Sequence, residues 1–332
     1  MQKITRDQLL DKALSLLENG TVNAVLGWKK GEFSYDVTPA LFNNIEDLKE
    51  NFVWNDFCGA NFAKYLVYKT DRFEGKILVF LKPCDTYSFN QLLTEHRFDR
   101  EKVYAVGVGC EGMVDAGSLK KLVGDGITNI TAAGEELLVT TIYEEEPLKV
   151  NVKDVLLERC KNCKSKKHVA YDELLGDEGE VLDSNRFDEV AKLEAMTADE
   201  RFEFWQNELS RCIRCNACRD VCPACTCEKC VFDNPKSGVE NKAPANSFEE
   251  KLFHIIRAFH VAGRCTDCGE CSRVCPQNIP LHLLNRKFIK DINNFYGEYQ
   301  AGEKVGSRAP LVNYTTEDLE PSEVFNKGDE NA

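Results

Sequence analysis

No run of apolar residues in this sequence approaches the ~18 that a membrane-spanning helix needs, so no membrane span is expected. Basic residues are outnumbered, 42 Lys and Arg against 55 Asp and Glu. The resulting net charge of −13 argues against nucleic acid or an anionic membrane as partner. The stretch Met1-Gln2-Lys3-Ile4-Thr5-Arg6 reads as the start of a polar helix without an apolar signal region, so a cytoplasmic protein is expected. Histidine is scarce, five in 332 residues, and no Ser/His/Asp or Cys/His nucleophilic arrangement stands out. Few general bases are therefore on offer, and no catalytic residue is assigned. What the chain does have is cysteine. There are sixteen, which in a reducing compartment point to metal rather than disulfides.

Eight of these form one ladder written twice. The first copy is Cys212-Ile-Arg-Cys215-Asn-Ala-Cys218-Arg-Asp-Val-Cys222-Pro223, and the second is Cys265-Thr-Asp-Cys268-Gly-Glu-Cys271-Ser-Arg-Val-Cys275-Pro276. Three cysteines two apart can hold three iron corners of a [4Fe-4S] cube from one tight loop. The fourth, carried off by its proline, ligates the other cube, as in bacterial two-cluster ferredoxins. Cys212, Cys215, Cys218 and Cys275 are thus expected at one cluster, and Cys265, Cys268, Cys271 and Cys222 at the second. A zinc knuckle needs only two pairs and gives no reason for a third cysteine plus Cys-Pro in duplicate. Low-potential clusters of this kind suit an anaerobic host.

The stretch 223–264 between the ladders is too long for a compact ferredoxin. Ser247-Phe248-Glu249-Glu250 reads as a capping box, followed by Phe248, Leu252, Ile255, Ile256 and Phe259 at helical spacing, a core-facing stripe that Gly263 ends. Pro280 starts a helix with Leu281, Leu284, Phe288, Ile292 and Phe295 on one face, closed by Gly297. Thr197-Ala198-Asp199-Glu200 caps another that runs through Phe204 and Trp205 into Cys212. With helices bracketing both loops, residues 198 to 298 resemble the α-helical ferredoxin domains of heterodisulfide reductase and fumarate reductase iron–sulfur subunits.

Upstream, 75–81 is a short apolar run read as a buried strand, 86–95 reads as helix and 102–108 as a second buried strand. Strand, helix and strand of these lengths make a βαβ unit. Cys84 and Cys110 then emerge at the carboxyl ends of neighbouring parallel strands, the edge where open α/β sheets bind ligands. Cys160-Lys161-Asn162-Cys163, after a helix at 153–159, could add two thiolates and complete a third [4Fe-4S] site. Spacing leaves alternatives open: a lone CxxC is as often redox-active or zinc-binding, and a single buried cysteine is usually an inert small hydrophobe.

Lys82-Pro83-Cys84-Asp85, Gly107-Val108-Gly109-Cys110-Glu111-Gly112, Cys160-x-x-Cys163 with Asp172 and Gly176, and Trp54-Asn55 before Cys58-Gly59-Ala60-Asn61 form a set. Through it, residues 20 to 180 resemble the beta-subunit family of deazaflavin-dependent (coenzyme F-420) hydrogenases and formate dehydrogenases. The resemblance implies a third [4Fe-4S] cluster and, in the true deazaflavin enzymes, FAD; no phosphate-cradling segment here matches flavin contacts residue by residue. Gly107-x-Gly109-x-x-Gly112 fits the dinucleotide pattern literally. Cys110 occupies its turn, however, and Glu135 and Glu136 lie ahead of a strand rather than at the end of one. We read these glycines as room for a cube to approach the backbone.

Cys58, Cys225, Cys227 and Cys230 remain. The close trio can present three thiolates, with Cys58 arriving from the other domain to complete a fourth metal site. The rival reading is free thiols, or Cys58 serving the third site. Lys161, Lys164, Lys166, Lys167 and His168 form a basic run read as a solvated loop, and Glu144, Glu145 and Glu146 read as a solvated turn.

The expected architecture is an α/β domain with a mostly parallel sheet (1–185), an all-α dicluster ferredoxin domain (186–298) and an extended acidic carboxyl-terminal tail (299–332). The expected function is an iron–sulfur electron-transfer subunit of a soluble redox complex. Its partners would be other redox subunits of hydrogenase, formate dehydrogenase or heterodisulfide-reductase-like flavoprotein type. Two alternatives stand beside it: an FAD-containing oxidoreductase subunit exchanging a hydride with a deazaflavin or nicotinamide, and a scaffold whose clusters brace the fold or sense redox state.

Overall fold

The structure is a computed structural model that describes residues 2–234 and 247–312, with side chains from 252 onward in the second stretch. Helix α1 (Arg6–Glu18) opens the chain, capped by Thr5, and is followed by β1 (Ala24–Lys30), β2 (Val37–Phe42), α2 (Ile45–Asn51) and β3 (Phe52–Val53). Then come α3 (Ala63–Arg72), β4 (Ile77–Leu81), α4 (Pro83–Thr94) and β5 (Val103–Val108). Strand β4 reads Ile-Leu-Val-Phe-Leu and is buried at every position, as a strand covered on both faces must be. It pairs in parallel with β1 on one side and β5 on the other, and β5 pairs in parallel with β9 (Glu173–Leu175). Strands β2 and β3 pair antiparallel with β1, so the sheet is mixed and mostly parallel.

Between β5 and β9 the chain inserts α5 (Ala116–Val123) and an antiparallel sheet of β6 (Ile127–Ala133), β7 (Glu136–Thr141) and β8 (Leu148–Asn151), with its own core around Leu119, Leu137 and Val139. The expected helix at 153–159 is divided. Val152–Val155 is a 3-10 turn whose two valines join that small core, Leu156 and Leu157 are extended, and α6 (Glu158–Lys161) follows. Cys160 therefore lies inside a helix rather than after one.

From Asp188 onward the elements described are helical: α7 (Asp188–Ala195), α8 (Ala198–Ser210), α9 (Ala217–Asp220), α10 (Ser247–His260), α11 (Glu270–Arg273) and α12 (Leu281–Tyr296), with short 3-10 turns. Thr197 and Glu200 make the reciprocal cap of α8, and Gly297 ends α12 at φ 88°. The capping box at 247–250 lies outside the described side chains. The stripe on α10 needs correction: Ile255 and Phe259 are exposed, whereas Phe253, His254, Arg257 and Ala258 are buried. The helix turns this mixed face inward because it covers the cysteine loops, where His254 and Arg257 have polar partners. On α12, Phe295 likewise points outward.

Residues 299–312 are not an extended tail. Ala301 and Ala309 are buried, Tyr299 Oη donates to the Gly263 carbonyl at 2.9 Å, and Gly302 lies against the Tyr87 backbone. Small residues let this strap approach the α/β part closely. Residues 313–332 of the expected tail lie outside the described residues. Among the described residues no helix is long and apolar enough to cross a membrane.

Candidate metal centres

The two ladders fold alike. Each places one short helix (α9, α11) directly after its second cysteine loop. Each also holds two residues in the left-handed region at matching positions: Arg214 (φ 53°) and Asn216 (φ 61°) in the first, Asp267 (φ 57°) and Gly269 (φ 65°) in the second. Non-glycine residues seldom adopt this conformation. Here it bends the loop until the main chain faces its own sulfurs: Arg214 N–H donates to Cys212 Sγ at 3.4 Å, and Asp267 N–H does the same for Cys265. The crossed fourth cysteines follow. Cys212, Cys215, Cys218 and Cys275 line one cavity, closed by Phe253, His254 and Leu281. Cys222 lies among Cys265, Cys268 and Cys271, close enough for its charge to act on all three.

Arg257 is buried between the two sets. It donates to the Cys218 carbonyl at 3.0 Å, and the sulfurs of Cys222, Cys271 and Cys218 hold its guanidinium charged. His254 reaches Cys212 Sγ at 3.3 Å, and burial next to Arg257 and Arg214 pushes its pKa down to about 3. Neither residue is in the cysteine pattern. The signal for both was a histidine and an arginine three apart on the helix between the ladders.

In the α/β part, Cys84 stands on the first turn of α4 directly beyond β4, and Cys110 follows β5. Together with Cys160 and Cys163 they line one cavity, along with Arg159, Lys164 and Lys166. Burial pushes the Cys84 thiol well up and the Cys110 thiol to about 11, the second aided by Cys160. Thiols held protonated this way lose the proton when metal binds. The cations Lys82, Arg159 and Lys166 that face them offset the resulting negative charge. Of the three glycines in the dinucleotide-like stretch, only Gly112 lines this cavity; Gly107 packs against Leu174 and His168, and Gly109 N–H donates to Leu175. No helix N-terminus follows them directly, since α5 starts at Ala116.

None of the sixteen cysteines is in a disulfide. Among the described residues, no three cysteine sulfurs lie within 4.8 Å of one another. Each set offers four thiols with a buried cation beside them, Arg257 at the ladders and Arg159 at the sheet edge, a donor chemistry that suits a thiolate-bound anionic core.

Of the last four cysteines, three share one cavity, and Cys225 among them also meets Cys222 of the second ladder's set. Cys225, Cys227 and Cys230 line a cavity of about 430 Å³ with Lys64, Arg219 and Arg264. Cys58 is fully buried in the α/β core instead, its sulfur taking the Asn55 N–H at 3.3 Å, and its thiol is pushed up to about 12 by burial. It stands nearer Lys82 and Cys110 than the trio. The α/β part reaches the trio through other side chains: Lys64 donates to the Cys225 carbonyl and Arg97 to that of Thr226.

The basic run 161–168 also differs from the solvated loop expected. Lys164 donates to the Thr266 carbonyl at 2.7 Å and lies over the Tyr87 ring, and burial lowers its pKa to about 8. Lys166 donates to the Cys110 carbonyl, and His168 is buried. Only Lys161 and Lys167 are exposed. The second ladder is in fact held along its length by the α/β part and its neighbours. Arg264 pairs with Glu95 (2.8 and 2.6 Å), Thr266 Oγ1 meets Ser88 Oγ at 2.8 Å, and Asp267 accepts from Arg286 at 2.9 Å.

Comparison with known proteins agrees with this layout. A family model described as a 4Fe-4S dicluster domain matches residues 208–279. The F420-dependent formate dehydrogenase subunit beta of Methanocaldococcus jannaschii is 24% identical, over 83% of this chain and 86% of its own. Over most of its length the chain resembles F420-dependent formate dehydrogenase beta subunits. The formate dehydrogenase 1 subunit beta of Methanococcus maripaludis is also 24% identical, over 83% of this chain and 87% of its own. A chain of the F420-reducing [NiFe] hydrogenase complex from Methanosarcina barkeri overlaps 62% of this chain and 86% of its own, at 15% identity and a TM-score of 0.39. That last likeness is too loose to bear on function.

Proposed function

We propose that this chain is the iron–sulfur electron-transfer subunit of a soluble redox complex of the formate dehydrogenase or hydrogenase kind, working beside other redox subunits. Its likeness to F420-dependent formate dehydrogenase beta subunits and the duplicated ladder support this reading. The observation that carries it is that single side chains lie against neighbouring thiol sets. Asp267, on the second ladder, lines the same cavity as Cys84, Cys110, Cys160 and Cys163, and Arg257 joins the second set to the first. On this reading the three sets would form one series from the α/β sheet edge to the outer helical loop.

In this proposal the helical dicluster domain holds two [4Fe-4S] clusters, on Cys212, Cys215, Cys218 and Cys275 and on Cys265, Cys268, Cys271 and Cys222. Cys84, Cys110, Cys160 and Cys163 hold a third. When bound, such centres take up and release single electrons at potentials from roughly −700 to +450 mV. The chain's own residues set the conditions. Main-chain amides of Arg214 and Asp267 donate to sulfur, Arg257 and Arg159 bring positive charge, and burial excludes water.

Potentiometric EPR on anaerobically purified protein tests the reading. Signals that appear and vanish reversibly, with broadening from neighbouring centres, are expected. Clusters that never change state under reductant would favour a bracing role and contradict it.

A further inference from the structure

Among the described residues, one group of side chains converges to single-ion spacing. Glu158, Glu189 and His282 each offer one ligand atom, and these atoms lie within 4.8 Å of one another. They come from three elements: α6 beside Cys160, α7, and α12 beyond the second ladder. The two glutamates are half-buried, whereas His282 is 7% exposed.

The imidazole is the telling member. Its Nε2 is buried and has no hydrogen-bond partner. The Glu189 Oε2 atom it faces is 3.8 Å away, too far for a hydrogen bond. Its other nitrogen, Nδ1, is 2.9 Å from Ser272 Oγ, which also accepts the His282 main-chain N–H at 3.0 Å. A hydroxyl oxygen has two lone pairs, so Ser272 can take both N–H groups. In that tautomer Nδ1 carries the proton and the Nε2 lone pair is free for a metal; where Ser272 Oγ donates to Nδ1 instead, Nε2 carries a proton toward the carboxylates that a metal ion would displace. A histidine whose far nitrogen is fixed by a hydrogen bond is the usual form of a metal ligand. Glu158 is similarly braced, accepting from Asn162 Nδ2 at 2.8 Å and facing Arg286 at 3.8 Å.

We propose that Glu158, Glu189 and His282 form a mononuclear site for a divalent first-row transition ion, which clasps the α/β part to the helical part beside the second ladder. Two carboxylates and a neutral imidazole carry a charge of −2, reduced to −1 by the neighbouring Arg286, and favour a cation. The imidazole selects against calcium and magnesium, which prefer an all-oxygen shell. The rival is a plain Glu189–His282 ion pair at 3.8 Å.

The test uses the full, cluster-loaded chain, desalted anaerobically and titrated with Mn²⁺, with the free ion counted by EPR and iron per chain measured alongside. Wild type is expected to bind one Mn²⁺ per chain, showing a nitrogen coupling from imidazole. Glu189→Gln and His282→Gln should weaken binding by at least tenfold and leave iron content unchanged, and His282→Gln should abolish the nitrogen coupling. Ser272→Ala should weaken it by roughly tenfold, as loss of an outer-shell partner does. Should His282→Gln fail to fold, Glu158→Gln on the half-exposed rim replaces it with the same expected loss. Wild type binding no Mn²⁺, or binding it no better than the variants, overturns the proposal.

Discussion

Arg159, one residue before Cys160, forms an ion pair with Glu270 of the second ladder, and both side chains are buried. The same guanidinium donates to the carbonyls of Cys268 and Gly59, while Glu270 also accepts two hydrogen bonds from Arg273 at 2.8 Å. A single cation thus ties the cysteine helix of the α/β part to the loop of the neighbouring set. Replacing it strands a buried carboxylate that retains only half its partners. Arg159→Met should cost about 3–5 kcal/mol, the usual penalty for breaking a buried pair from one side. Denaturant unfolding of the cluster-loaded chain measures this, and a loss below 1 kcal/mol would remove Arg159 from its assigned place.

A second buried pair lies at the amino end of α4. Lys82 meets Asp85 at 2.8 Å, donates to the Ala60 carbonyl at 2.8 Å and sits over the Trp28 ring. Lys82→Met should destabilise the protein strongly, and Lys82→Met with Asp85→Leu should be less damaging than the two single changes summed. A double-mutant cycle on unfolding free energies gives the answer; simple additivity would mean that the two charges do not depend on each other.

The strap over the α/β part depends on Gly302. Its φ is +75°, and a Cβ there would meet the Tyr87 carbonyl oxygen at 1.8 Å. Left-handed backbone alone costs a substituted residue roughly 1–2 kcal/mol, and main-chain oxygen cannot move aside cheaply. Gly302→Val should release the strap and speed tryptic cleavage at Lys304 and Arg308. Unchanged cleavage would show that the strap is not held there.

His168 carries a pH dependence. Its Nε2 lies 3.2 Å from the carbonyls of both Leu81 and Val108, so it donates, and Nδ1 is buried without a partner. Burial lowers its pKa below 6.5. The folded state therefore resists protonation more than the unfolded chain does, and stability is lost as pH falls below about 6.5. His168→Gln keeps an N–H donor and cannot charge, so its urea midpoint should fall less steeply than wild type's between pH 7.5 and about 5.5. Identical slopes would exclude this group.

What the sequence displayed was whatever lies close together along it. The ladders are local motifs, and β4 and β5 are short apolar runs whose ends place Cys84 and Cys110. The inward face of α10 was misjudged because an apolar count ranks Ile255 and Phe259 above His254 and Arg257. In this structure the latter two have sulfur and carbonyl partners that justify burial. The docking of the second ladder was invisible for another reason: Arg264 with Glu95 and Ser88 with Thr266 join positions 169 and 178 apart. Cys58 illustrates the limit of counting, since sixteen divides by four but the core keeps that thiol away from Cys225, Cys227 and Cys230.

Iron and acid-labile sulfide per chain, measured on anaerobically purified protein beside a Cys84→Ser variant, test the central claim most directly. Three complete thiol sets predict about twelve irons and twelve sulfides, falling by about four of each in the variant. Colourless protein holding zinc, or about eight irons with the variant unchanged, would contradict it.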